Sequence, residues 1–287
     1  MSITVDRVSL RNQLASLGIE EGDTLLIKAN LMQIGLMTEE QGRLLIDAFL
    51  DVVGSSGTIL SSGFTPSWYF WKRSRKNVFT KSSHPITGSF SKLMLLNPSV
   101  IRSRHPTNSF IGIGDKADYI LSDHDAAQSS FFPVSKLIEL DGKCITLGCV
   151  FTNPGFTTFH WAQHVLGYST KSILRNRVGT YYLDDGQVKW FSRKDFGGCS
   201  FGMVKLYQYY EKSRALKFGP VGYTNAVIAS AKKTFKMDLK MLKKSPTVAF
   251  CDNDSCFSCR GSWYYNVSDM PSYYVRNAFR IASRLFD

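Results

Sequence analysis

The sequence predicts an α/β fold in which helices cover a sheet. Short apolar runs at 24–27 and 58–64 bracket an amphipathic stretch in β-helix-β order, and the same alternation returns across 110–150. The composition is that of a globular enzyme, 44% hydrophobic and 20% charged, and gives disorder no support. No period of 20–50 residues recurs along the 287 residues, which excludes a solenoid. No linker divides the chain, so a single domain spanning 1–287 is expected.

The elements follow in order. Val8, Leu10, Leu14 and Leu17 ahead of Gly18 predict a short helix with a glycine stop. Thr24–Ile27 reads as a buried strand. Thr38-Glu39-Glu40-Gln41 has the pattern of a capping box, followed by Leu44, Leu45, Ala48, Phe49 and Val52 on one helix face up to Gly54. Thr58–Phe64 is the next strand, and Thr87–Leu96 a helix ended by Asn97-Pro98. The polar segment Ile101–Asn108 is a loop feeding a strand at Phe110–Ile113. A helix at Pro133–Leu140 stops at Asp141-Gly142, before a buried strand at Cys144–Val150. Thr152-Asn153-Pro154-Gly155 then forms a turn at the carboxyl end of that strand, where sites gather in sheets of this kind. A helix runs from Thr157 to about Gly167, and Asp184-Asp185-Gly186 joins a hairpin of Val178–Leu183 and Gln187–Phe191. The remainder reads as helices at about 200–213, 224–243 and 272–285 with a short strand at Thr247–Phe250.

The chain is basic, with 35 Lys+Arg against 23 Asp+Glu and a formal charge of +12. Nucleic acid, an acidic membrane surface and a small polyanion all favour such a balance. Lys232, Lys233, Lys236, Lys240, Lys243 and Lys244 recur at helical spacing between Phe235, Leu239 and Leu242, which is a solvated helix face. Lys72, Arg73 and Arg75, beside Trp68, Tyr69, Phe70 and Trp71, are the better candidates for an anionic ligand. Asp6, Arg7 and Arg11 stand where a signal peptide needs an apolar run, and no apolar stretch approaches bilayer length. A cytoplasmic protein with six reduced cysteines, and no membrane or nucleic-acid partner, is expected.

His160 and His164 lie four apart on one helix face, a metal-pair spacing, but Trp161 stands where a metalloprotease pattern has glutamate. One histidine at work and the other packed is the stronger reading. Cys251, Cys256 and Cys259 form a C-x4-C-x2-C run without a local fourth ligand; distant Cys199 or a histidine would have to complete it, and no metal is expected. Cys144 and Cys149 sit in an apolar strand, where a thiolate nucleophile is disfavoured.

The order Gly22-Asp23-Thr24-Leu25-Leu26, Lys28-Ala29-Asn30-Leu31, Thr87-Gly88-Ser89-Phe90, Arg102-Ser103-Arg104-His105-Pro106-Thr107-Asn108-Ser109-Phe110 and Thr157-Thr158-Phe159-His160 resembles the aminoglycoside 3-N-acetyltransferase family, collinearly over about 15–165. The resemblance implies an acetyl-CoA-dependent N-acyltransferase with a three-layer α/β/α sandwich around a mixed sheet, the acetyl-CoA core at about 15–165 and an elaborated part at 166–287. It implies direct transfer to a small-molecule amine, with a homodimer left open. Attack on a thioester needs a deprotonated amine, a task that suits histidine near neutral pH. The family motif places that base at His160, and Asp195 is the nearest candidate for the downstream carboxylate that the family supplies as orienter. The developing oxyanion needs donors, for which Thr157, one turn before His160, and a backbone N–H within Lys28–Leu31 are the candidates. The resemblance further implies that Ala29, Asn30, Leu31, Arg102, His105, Ser109 and Phe110 line the cofactor channel, with Lys72, Arg73 and Arg75 at its rim. Phe64, Gln163 and His164 are expected on the acceptor side.

Family members acting on cationic antibiotics usually carry glutamate three residues after the motif histidine, where this chain has Gln163. Read with the +12 charge, this favours an anionic acceptor such as a nucleotide-linked amino sugar, a surface-polysaccharide precursor. The alternatives are an aminoglycoside antibiotic, or a non-catalytic basic module on the same fold.

Overall fold

The computed structural model describes residues 5–266, 268 and 270–286, with the side chains of 284–286 left aside. Among these described residues eleven strands run β1 Thr24–Ala29, β2 Thr58–Ser62, β3 Trp68–Tyr69, β4 Val78–Phe79, β5 Ile101–Arg102, β6 Phe110–Gly114, β7 Lys143–Leu147, β8 Val178–Asp184, β9 Gln187–Ser192, β10 Leu216–Val221 and β11 Thr224–Ser230. The helices are α1 Arg7–Leu17, α2 Leu31–Ile34, α3 Glu39–Val53, α4 Ser89–Leu95, α5 Ala117–Leu121, α6 Phe132–Glu139, α7 Thr158–Val165, α8 Tyr207–Lys212, α9 Ala231–Lys244, α10 Met270–Arg276 and α11 Ala278–Phe286.

A seven-stranded sheet in the order β10-β11-β7-β1-β2-β6-β5 forms the middle layer. Its centre is parallel, with Leu25 opposite Ile59 on β2 and Lys143 on β7, while antiparallel strands extend it on both sides. The sheet is therefore mixed, as expected. Alternation along β1 explains the layers. Leu25 and Ile27 enter one apolar cluster with α1 and α3, whereas Leu26 enters a second with α6, α7 and α9 on the opposite face. The resulting architecture is a three-layer α/β/α sandwich. A smaller sheet of β3, β8, β4 and β9 stands apart from it. Among the described residues no helix is long and apolar enough to cross a membrane.

The capping box forms as read: Thr38 Oγ1 accepts the Gln41 N–H at 3.2 Å, and the Gln41 side chain accepts the Thr38 N–H at 3.2 Å. The structure differs in the second half. Residues 224–230, expected to begin a helix, form β11, whose Ala226, Val227 and Ala229 are buried beside β7. The helix starts only at Ala231, where the Ser230 side chain accepts the Lys233 N–H. Strand β10, unforeseen, pairs with β11 at the sheet edge and so tolerates Pro220. Thr247–Phe250, expected as a strand, is a turn closed by the Phe250 N–H on the Thr247 carbonyl. Lys232, Lys233, Lys236, Lys240, Lys243 and Lys244 are exposed on α9, the solvated face that their spacing indicated.

Candidate active site

The carboxyl ends of β1, β2 and β7 open into a cleft of about 550 Å³, lined among others by Lys28, Ala29, Ser62, Phe64, Thr157 and His160. The crevice beyond the carboxyl ends of parallel strands is where ligands bind in such sheets. Lys28 builds its wall. The ammonium group donates to the carbonyls of Asn153, at 2.5 Å, and Gly155, at 3.0 Å, and so pins the turn that follows β7 to β1. Burial pulls the Lys28 pKa down to about 8.

Helix α7 leaves that turn with Thr157 at its N-cap. Its first residue is anchored from below: Thr158 Oγ1 donates to Asp238 at 2.8 Å, and the Tyr210 hydroxyl donates to the same carboxylate. Burial pushes Asp238 up to about 7, against the pull of these two donors. His160 is thereby held at the cleft, with the Phe131 ring 4.9 Å from its own.

His160 Nδ1 lies 3.0 Å from Gln163 Oε1. A carbonyl oxygen only accepts, so Nδ1 carries the proton and the lone pair resides on Nε2. Loss of solvation pulls the imidazole down to about 4; the Gln163 carbonyl resists this, while Lys28 and Arg193 add to it. Such a group is neutral at every physiological pH.

The structure brings together only part of the expected site. Ala29, Phe64, Thr157 and His160 line the cleft; Gln163, only 3% exposed, lies behind His160 as its hydrogen-bond partner and away from the lining. Asp195 does not orient His160. Its carboxylate accepts from the Ser130 backbone N–H at 2.9 Å and the Ser130 hydroxyl at 2.7 Å, and it faces His164 Nδ1 at 3.8 Å. His164 stacks on Trp161 outside the cleft lining. Gln163 thus stands where Asp195 was expected to act.

Arg102, His105, Ser109 and Phe110 are buried and do not line the cleft. Arg102 donates to Ser109 Oγ at 3.0 Å and to the Gly63 carbonyl at 2.7 Å, so its fork is spent on protein groups. His105 Nδ1 accepts the Asn108 N–H at 3.0 Å, and its ring stacks 4.8 Å from that of His124. Asn30 caps α2, where its side chain accepts the Gln33 N–H, and Leu31 is core. Arg73 lies 4.5 Å over the Trp190 ring and Arg75 5.6 Å over Tyr181, on the smaller sheet and not at a channel rim. Phe131, Phe156 and Met203 line the cleft without any motif having marked them.

Three buried imidazoles set a pH dependence. Burial lowers His105 well below the usual value, His124 to about 3 and His160 to about 4. His124 and His160 stay neutral in the fold at pH 5 and burial pushes His105 the same way, while the unfolded chain begins to protonate them below about 6.5, so stability is full above that pH and lost as pH falls toward 4. Each contributes a slope of up to about 1.4 kcal/mol per pH unit in that window. The urea midpoint is expected to fall from pH 7 to pH 5; an unchanged midpoint would contradict this.

Comparison with known proteins matches the geometry. The family model described as aminoglycoside 3-N-acetyltransferase matches residues 26–243. Aminoglycoside N(3)-acetyltransferase IX of Micromonospora chalcea is 27% identical, over 67% of this chain and 72% of its own length. Among solved structures, the apoenzyme of aminoglycoside acetyltransferase AAC(3)-IVa superposes with a TM-score of 0.73 at 22% identity, covering 90% of this chain and 96% of that one. AAC-IIIb, solved with CoASH, gives 0.73 at 22% identity over 83% and 96%. The structural likenesses show the fold, and the family match over most of the chain shows the chemistry: this protein belongs to the aminoglycoside 3-N-acetyltransferases and is an acetyl-CoA-dependent N-acetyltransferase.

Proposed function

We propose that the protein acetylates an amine of an aminoglycoside, with His160 as general base. One observation carries the reading: the His160 imidazole lines the cleft with Nδ1 3.0 Å from Gln163 Oε1, an acceptor, an arrangement that leaves the Nε2 lone pair for a proton. Acetyl-CoA supplies the acyl group as a thioester: the amine nitrogen bonds to the acyl carbon, the carbon–sulfur bond breaks, and CoA leaves as the thiol after taking up the proton the amine loses. His160 Nε2 accepts the proton of the attacking amine, and Thr157, one turn earlier, offers its hydroxyl to the developing oxyanion. Ser61, Ser62 and Thr87 line the same cleft, with the Ser61 and Thr87 hydroxyls donating to the carbonyls of Ile27 and Ser62.

The preference for a nucleotide-linked amino sugar finds no support. The relatives are aminoglycoside acetyltransferases, and Gln163 is the partner of His160, so its neutrality says nothing of the acceptor's sign. Neither does the +12 charge, part of which lies on the exposed face of α9.

Continuous measurement of CoA thiol release, with gentamicin, tobramycin and nucleotide-linked amino sugars as acceptors, tests the proposal. Turnover is expected with the aminoglycosides. Turnover with nucleotide-linked amino sugars alone would overturn it.

A further inference from the structure

Three thiols close together in the chain meet a distant fourth outside the cleft. The Sγ atoms of Cys199, Cys251, Cys256 and Cys259 all lie within 4.8 Å of one another. Those of Cys251 and Cys259 are 3.7 Å apart. Four sulfurs at about 2.3 Å from a tetrahedral ion stand about 3.8 Å from each other, so this pair already has the spacing of a metal thiolate. It is far too long for a disulfide, whose sulfurs approach to about 2.05 Å. The Cys251 N–H also donates to Cys259 Sγ, 3.4 Å away, the kind of hydrogen bond that steadies a metal-bound thiolate.

The sequence alone supplied only three ligands, Cys251, Cys256 and Cys259, and the expectation of no metal rested on the missing fourth. The fold supplies it. A turn from Asn253 to Arg260, closed by the Cys256 N–H on the Asn253 carbonyl and the Cys259 N–H on the Cys256 carbonyl, sets two thiols on one side. Cys199 arrives from the loop after β9. The acidic neighbours are otherwise engaged, Asp252 with Lys205 and Asp254 with Arg260, which leaves an all-sulfur donor set. Between Cys251 and Cys259 only Phe257 is strongly apolar, so this segment has little hydrophobic burial to hold it.

We infer that these four cysteines form a closed tetrathiolate site for one zinc ion, outside the catalytic cleft. Four protein ligands leave no open position, which makes the ion structural and not catalytic. The consequence reaches the active site. Cys199 follows Gly197 and Gly198, which pack over His160 and Gln163: a Cβ on Gly197 would lie 2.9 Å from His160 Nδ1, and one on Gly198 3.9 Å from Gln163 Nε2. The ion therefore ties to the 251–263 segment the strap that covers the His160–Gln163 hydrogen bond.

Metal analysis by mass spectrometry, on full-length protein purified without chelators or a metal-affinity column from zinc-supplemented cells, tests this. About one zinc per chain is expected, falling below about 0.2 in Cys199→Ser and Cys256→Ser and retained in Cys149→Ser. Cobalt-substituted protein is expected to show thiolate-to-cobalt charge-transfer absorption with tetrahedral visible bands. Stripping the zinc is expected to unmask four thiols to Ellman's reagent and to lower Tm by at least about 5 °C. Less than about 0.2 zinc in the wild-type protein, iron in its place, or an unchanged zinc content in Cys199→Ser would each overturn the site. The wild-type metal content decides even if a variant fails to fold, and it is independent of the role given to His160.

Discussion

His160→Ala is expected to lower kcat by about 10²- to 10⁴-fold while leaving acetyl-CoA binding close to wild type, because a positioned general base is worth that much. The corresponding barrier increase is about 3–5 kcal/mol. The imidazole is only one part of the cleft lining, so the hydroxyl-rich walls survive its removal. Steady-state CoA release for turnover, together with calorimetric titration of acetyl-CoA for binding, checks both halves. Activity within tenfold of wild type would remove His160 from the base role.

Gln163→Leu is expected to cost about 10- to 10²-fold in kcat with the fold intact. The substitution removes the carbonyl that fixes the tautomer and leaves a buried Nδ1–H without its partner, a penalty of about 1–3 kcal/mol. The loss belongs to kcat and not to the KM for acetyl-CoA, since Gln163 lies behind the imidazole and away from the cleft lining. Gln163→Glu separates orientation from charge. A carboxylate at the same place accepts the same hydrogen bond and raises the His160 pKa above about 4, so activity is expected to persist. A rise in KM for the acceptor in Gln163→Leu, with kcat unchanged, would make Gln163 a substrate contact after all.

Much of the architecture was legible where local signals agreed. The Thr38–Gln41 capping box, the glycine stop at Gly18 and the apolar run of β1 each name their element without help from the rest of the chain. The region 216–244 was not legible for a physical reason. Strand β11 runs directly into α9, Ser230 being both the last residue of the strand and the N-cap of the helix, and the continuous buried run Ala226–Ala229 is too short to be told from a helix by period. Strand β10 is an edge with Gly219 and Pro220, residues that local propensity counts against a strand.

The site divides in the same way. His160 and Thr157 line the cleft, to which the turn pinned by Lys28 delivers them. The Arg102–Phe110 loop was misread because donors that would suit a ligand suit the protein's own carbonyls equally well, and sequence does not show which is nearer. Gln163 was read as facing the acceptor because a helical offset of three fixes a side chain's neighbour but not which of two neighbours it serves. Cys199 carried no local spacing signal toward the distant thiols; only the tertiary fold brings it to them.

The measurement that bears most directly on the account is the nitrogen NMR spectrum of the His160 ring between pH 5 and 8, assigned by comparison with His160→Gln. A neutral imidazole protonated at Nδ1, with a bare Nε2 and no titration across that range, is the expected result. A proton on Nε2, or protonation with a midpoint near 6.5, would contradict a base preset by Gln163 and the buried cleft.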